Sequence, residues 1–140
     1  MIKAVFDTNI ILDFLVYRNS TLQPLYEEIK AGRITSLASE ATLYELGDVL
    51  ARPQFKLTAE EVSERLTEWR ACTVIAEADQ ESAAVCRDTD DQKFLNLAYS
   101  QKADFLVSRD KLVLKCRGKC RTLGITVLKP EDFMKKLSEL

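Results

Sequence analysis

Acidic residues are the chemistry-bearing side chains that this sequence presents in a pattern. Asp7 comes directly after the branched and aromatic run that ends at Phe6, and Asp110 comes a few residues after Phe105, Leu106 and Val107. Asp91 heads a stretch in which Phe94, Leu95 and Ala98 follow at the third, fourth and seventh positions. That spacing places Asp91 on the core-facing stripe of a helix. A lone carboxylate buried there is costly unless it is paired or neutralised. The plainer reading makes Asp91 a helix cap that complements the dipole, a job open equally to Asp88, Thr89 and Asp90. Glu45 borders a second stripe, one residue before Leu46 and four before Val49. Taken alone it reads best as part of a solvated helix face shared with Asp48.

Acids gathered in one cleft repel each other and hold their protons more tightly. Divalent cations relieve that repulsion, and hard carboxylate oxygens suit Mg²⁺ or Mn²⁺ better than zinc. The chain has no histidine. Ser–His and Cys–His dyads, histidine general bases and histidine-ligated zinc are therefore excluded. Of the four cysteines, Cys116 and Cys120 are close in sequence, but a zinc site would have to recruit Cys72 and Cys86 from distant segments. Buried reduced thiols packing as small apolar groups are the better reading.

The elements that must position these acids alternate. Short runs at residues 2–6, 34–37, 72–75, 105–107 and 125–128 read as strands. Helical patterns fall at 10–16, at 22–31 (stopped by Gly32), at 39–52, from Thr58 with a Thr58–Glu61 capping box, at 91–102, and at 130–140 behind Pro130. This alternation predicts an α/β fold, a three-layer α/β/α sandwich around a parallel sheet of about five strands, with residues 1–140 forming one domain. In such sheets, sites gather beyond the carboxyl ends of the strands. Asp7 and Asp110 should stand at that same edge.

Composition narrows the class. Apolar residues are 46% and charged residues 30% of the chain, an ordinary globular mixture. A net charge of −2 argues against nucleic-acid binding by bulk charge, but not against a local basic patch. No stretch reads as a secretory signal or a membrane span, so the expected compartment is the cytoplasm.

Four short motifs together resemble the PIN-domain family. They are Val5-Phe6-Asp7-Thr8-Asn9, Leu43-Tyr44-Glu45-Leu46, the stretch from Asp91 to Ala98, and Val107-Ser108-Arg109-Asp110. Each is weak singly, but their order and the element following each make the set fairly specific. The stretch from Cys86 to Asp91, and the closing strand followed by Pro130-Glu131-Asp132-Phe133, look like a branch identified as toxins of toxin–antitoxin systems. The resemblance implies metal-dependent hydrolysis of RNA phosphodiesters. Asp7, Glu45, Asp91 and Asp110 would then be the catalytic acids, with Asp7, Asp91 and Asp110 as ligands of Mg²⁺ or Mn²⁺. Glu45 would act through water or as a base. Thr8, Asn9 and Ser108 would orient ligands or water, against the plainer readings of a helix cap and a loop hydroxyl. Asp13, Asp48, Asp88 and Asp90 are further acids that could contribute to such a site. The resemblance also implies a small antitoxin partner and a homodimer or higher oligomer.

Lys111, Lys115, Arg117, Lys119 and Arg121 follow Asp110 with no acid among them until Glu131. They read equally as an RNA-backbone contact or as a solvated loop. Trp69 reads as core packing. Three other classes fit the sequence less well. A catalytically silent PIN-like interaction module is opposed by the presence of all four acids. A phosphoacceptor receiver domain would need paired acids near Asp7 and a lysine at a late strand end, but Lys129 lies past its strand. A dehalogenase-like phosphatase would need Asp at position 9, where the chain has Asn9.

Overall fold

The computed structural model describes residues 1–140. Its strands are β1 (Ile2–Phe6), β2 (Ile34–Ala38), β3 (Thr73–Ile75), β4 (Phe105–Val107) and β5 (Thr126–Leu128). They form one parallel sheet in the order β3-β2-β1-β4-β5. The helices are α1 (Thr8–Leu15), α2 (Gln23–Lys30), α3 (Glu40–Leu50), α4 (Ala59–Cys72), α5 (Gln92–Ser100), α6 (Lys111–Leu114), α7 (Arg117–Thr122) and α8 (Pro130–Ser138). Short 3₁₀ turns lie at Pro53–Phe55 and Thr89–Asp91. The α/β/α sandwich and five-stranded parallel sheet expected from the alternation are both present.

Strand periodicity divides the core in two. Ala4 and Phe6 of β1, Val107 of β4 and Leu128 of β5 pack with α1, α2, α3, α4 and α8. Val5, Leu37, Leu106 and Val127 face the other way, onto α5, α6 and α7. Alternate residues of a strand point to opposite faces, so a sheet covered on both sides needs near-continuous apolar strands. Phe6 anchors the larger layer. Its ring packs edge-on against Phe14, Trp69 and Phe133, with centroids 5.8, 6.4 and 6.0 Å away. Trp69 is thus a core residue, as its helical setting suggests.

The caps follow the sequence closely. Thr58 and Glu61 form the expected capping box, and Ser39 makes a second one with Thr42. Gly32 takes φ +77 just after α2, a left-handed conformation that glycine adopts without a Cβ penalty. Differences are few. Cys72 closes α4 instead of opening a strand, α5 stops at Ser100 before Lys102 at φ +53, and α8 ends at Ser138. The basic stretch after Asp110 holds two short helices, α6 and α7, which its charge pattern did not announce. Val113, Cys116 and Cys120 anchor them in the smaller core. Helices of four and six residues are too short for a readable period.

Phe6 joins the aromatic core to the residue before Asp7. Phe6→Ala should destabilise the fold by about 3–5 kcal/mol, read as a lower urea midpoint. A loss under about 1 kcal/mol would show that the aromatic cluster does not anchor β1.

Candidate active site

The strand order reverses beside β1: successive crossovers run through β2 to β3 on one side and through β4 to β5 on the other. The carboxyl ends of β1 and β4 therefore border the crevice at the switch point, where ligands bind in open α/β sheets. Phe6 and Val107 are in register there, and the Asp7 amide donates to the Val107 carbonyl at 3.1 Å. Asp7 and Asp110 accordingly stand at one edge, as their positions after strands predict.

Each acid is held by its element. Asp7 is the N-cap of α1 and is 4% exposed. One carboxylate oxygen accepts the Ile10 amide at 3.2 Å, and the other accepts the hydroxyl of the fully buried Ser108. The Ser108 hydroxyl in turn accepts the Asp110 amide at 3.0 Å. Asp110 caps α6, taking the amides of Leu112 and Val113 at 2.8 and 3.4 Å. One serine thus ties two acids together.

Asp91 follows a different rule. It occupies the N-cap position of α5, yet its side chain accepts no capping hydrogen bond. The plainer reading of Asp91 as a cap therefore lacks its contact. Asp88 does cap locally, accepting the Asp90 amide at 3.0 Å. Asp91 is half-buried while Asp90 is exposed, as the helical stripe implies. Glu45 is also half-buried, whereas Asp48 is exposed, so they do not share a solvated face. Both Glu45 oxygens are engaged: the Thr8 hydroxyl donates to one and the Lys93 ammonium lies 2.7 Å from the other.

Burial and mutual repulsion explain the electrostatics. Burial pushes the Asp7 carboxyl up to about 6, with Asp110 and Glu45 adding to the rise against the hydrogen bonds of Ser108 and Ile10. Burial also pushes Asp91 up to about 7, and Asp110, Asp88, Asp7 and Glu45 each raise it further. Asp7 and Asp91 are therefore each raised by both Glu45 and Asp110. No three of the four acids converge on a common point as they stand. Their hydrogen bonds explain why, since Glu45 is turned to Thr8 and Lys93, and Asp110 to its own helix.

Other residues fall into place around the four. Asn9 is exposed, outside the hydrogen bonds just described. Asp13 pairs with Arg109, which also reaches Glu131 at 2.6 Å. Lys111, Lys115, Arg117, Lys119 and Arg121 are exposed and in no ion pair. Lys115 and Lys119 line a groove of about 280 Å³ with Arg87 and Val85. The sequence alone does not distinguish Lys93 and Arg87 from other surface cations. A helical lysine and a loop arginine carry no local signal of the partners that the fold supplies. The four cysteines are free thiols, with Cys86, Cys116 and Cys120 buried and Cys72 half-buried. A larger apolar groove of about 390 Å³ lies by Ile2 and Ile34, at the amino ends of the strands and away from the acids.

A carboxyl raised in the fold favours the folded state when protonated. That stability is present near pH 4 and is lost as pH rises through about 6 for Asp7 and about 7 for Asp91. Asp7→Asn keeps one acceptor oxygen for the Ile10 amide, offers the Ser108 hydroxyl an amide N–H in place of the second oxygen, and carries no charge. In chelator at about pH 8 it should be more stable than the parent by on the order of 2 kcal/mol in urea unfolding. The difference should shrink toward pH 4. Lower stability of the variant at the higher pH would refute this account of Asp7.

Comparison with known proteins agrees with the fold. MJ1680, an uncharacterised protein of Methanocaldococcus jannaschii, is 27% identical over 146 residues, covering 99% of this chain and 93% of its own length. A chain in the crystal structure of VapBC2 from Rickettsia felis, bound to a DNA fragment from its promoter, superposes with a TM-score of 0.62 at 14% identity. It covers 90% of this chain and 97% of that one, and shows a shared fold. The PIN domain family model matches residues 3–112, a span holding Asp7, Glu45, Asp91 and Asp110, and the chain belongs to the PIN domain family.

Proposed function

We propose that residues 1–140 form one nuclease domain, a metal-dependent endoribonuclease. The observation carrying this reading is the gathering of four carboxylates at the sheet's switch point, where burial and the neighbouring acids raise the proton affinity of Asp7 and Asp91. The donor set fits a divalent cation, because hard carboxylate oxygens are what Mg²⁺ or Mn²⁺ selects. Asp7, Asp91 and Asp110 would hold it. Bound there, such an ion supplies a water made nucleophilic and positive charge for the phosphate.

The chain's own residues do the rest. Ser108 fixes Asp7 and the backbone of Asp110, and Thr8 orients Glu45. Glu45 acts through a water or as the base that receives its proton. Asn9, exposed at the start of α1, orients water or substrate. RNA enters along the exposed basic face, where Lys111, Lys115, Arg117, Lys119 and Arg121 follow Asp110 and Arg87 adds a charge to the groove. The likeness to VapBC2 and the motif from Cys86 to Asp91 support a toxin of a toxin–antitoxin pair, with a small antitoxin partner and self-association as a homodimer or higher oligomer. No helix is long and apolar enough to cross a membrane. The proposed setting is the cytoplasm, where such an enzyme meets RNA.

A catalytically silent interaction module is the competing reading. The observation on its side is that no three acids converge as they stand. Cleavage of a mixed RNA pool decides between them. The parent should cut with Mg²⁺ or Mn²⁺ and stop in chelator. Asp7→Asn and Asp91→Asn should each lower the rate by about a hundredfold or more. Absence of both cleavage and metal binding in a folded protein would favour the silent module.

RNA binding in chelator tests the basic face separately. Replacing Lys115 and Lys119 together by alanine should reduce the slope of log affinity against log salt by about 1.4. An unchanged slope would place the RNA path elsewhere.

A further inference from the structure

Lys93 is the one cation paired with any of the four acids, and it takes no part in the cleavage chemistry proposed for them. It is the second residue of α5, where the positive end of the helix dipole disfavours an ammonium. Its side chain is nonetheless three-quarters withdrawn from solvent, at 25% exposure. What offsets this is Glu45, 2.7 Å away, with the Asp90 carbonyl as a second acceptor. Glu45 reaches Lys93 from α3, 48 positions earlier in the chain. The pair therefore spans the crevice between two helices that each carry one of the acids.

We propose that Lys93 is a positioning residue acting through Glu45: a resident counter-ion that holds this carboxylate until a divalent cation displaces it. The inference rests on the metal-dependent reading above. The Lys93 charge partly neutralises the cluster that would attract the cation, and it occupies one of the two Glu45 oxygens. Thr8 holds the other oxygen, so Glu45 has no uncommitted oxygen while Lys93 stays in place. Affinity for a divalent cation rises with the net negative charge of its oxygen ligands. Lys93 therefore weakens cation binding and keeps Glu45 ordered without it.

Calorimetric titration with Mn²⁺, without RNA, tests this. Lys93→Met should bind Mn²⁺ about tenfold more tightly than the parent, whereas Lys93→Arg should stay within about twofold. In a Glu45→Gln background, Lys93→Met should bring a clearly smaller gain, about threefold or less, because only the charge of Lys93 and not its hold on Glu45 is then removed. Unchanged or weaker binding by Lys93→Met overturns the proposal, as does an equal gain in the Glu45→Gln background. Lys93→Gln serves the same comparison if the methionine variant does not fold. Absence of Mn²⁺ binding in every variant overturns the metal-dependent reading and this inference with it. Binding by the parent with no change on removing Lys93 overturns the inference alone.

Discussion

Negative charge gathered in a partly dry crevice is the constraint that shapes this molecule. Asp7 sits at the carboxyl end of the central strand, 4% exposed, with Asp110, Glu45 and Asp91 close enough for their charges to interact with its own. Left unsupported, such a carboxylate would be costly. The surrounding structure answers locally: the Ile10 amide in the first turn of α1 and the Ser108 hydroxyl solvate Asp7, and the amides of Leu112 and Val113 in α6 solvate Asp110. Helix N-termini suit this work because their amides lack intrahelical partners and their dipoles favour anions. Asp91 gets no such bond, and its proton affinity rises the most. The site is held together by backbone but remains short of positive charge. A divalent cation would meet that need, and Lys93 meets part of it meanwhile.

The sheet makes this arrangement available. Parallel strands deliver all their carboxyl ends to one edge, and the order reversal opens a crevice between crossovers. The two cores beneath and above it are packed with large apolar side chains, so the edge is a rigid platform. Glu45 and Asp91 reach it from α3 and the start of α5, on opposite faces of the sheet. Such a site is built by fold and not by sequence proximity, which is how four acids from four segments come to share one field.

Asp7 and Asp110 were legible in the sequence because each follows a strand, and element order alone then assigns them an edge. Asp91 was legible from its helical stripe, which distinguished it from Asp90. Glu45 was not: its surroundings depend on Thr8 and on Lys93, both distant in sequence, and a helix glutamate carries no mark of such partners. Only the family resemblance singled it out. The same blindness hid Lys93, whose pairing runs between helices on opposite faces of the sheet. The layered fold was legible because long amphipathic helices and short apolar strands have different periods. Helices α6 and α7 were not, because their few buried residues, Val113, Cys116 and Cys120, were masked by the lysines and arginines between them.

The central claim is that these acids form a cation site at the switch point. A crystal of the protein soaked in Mn²⁺, measured at the manganese absorption edge, tests it most directly. The account predicts an anomalous peak bounded by the carboxylates of Asp7, Asp91 and Asp110, with Glu45 released from Lys93. A crevice without a peak, or manganese bound only elsewhere on the surface, would contradict it.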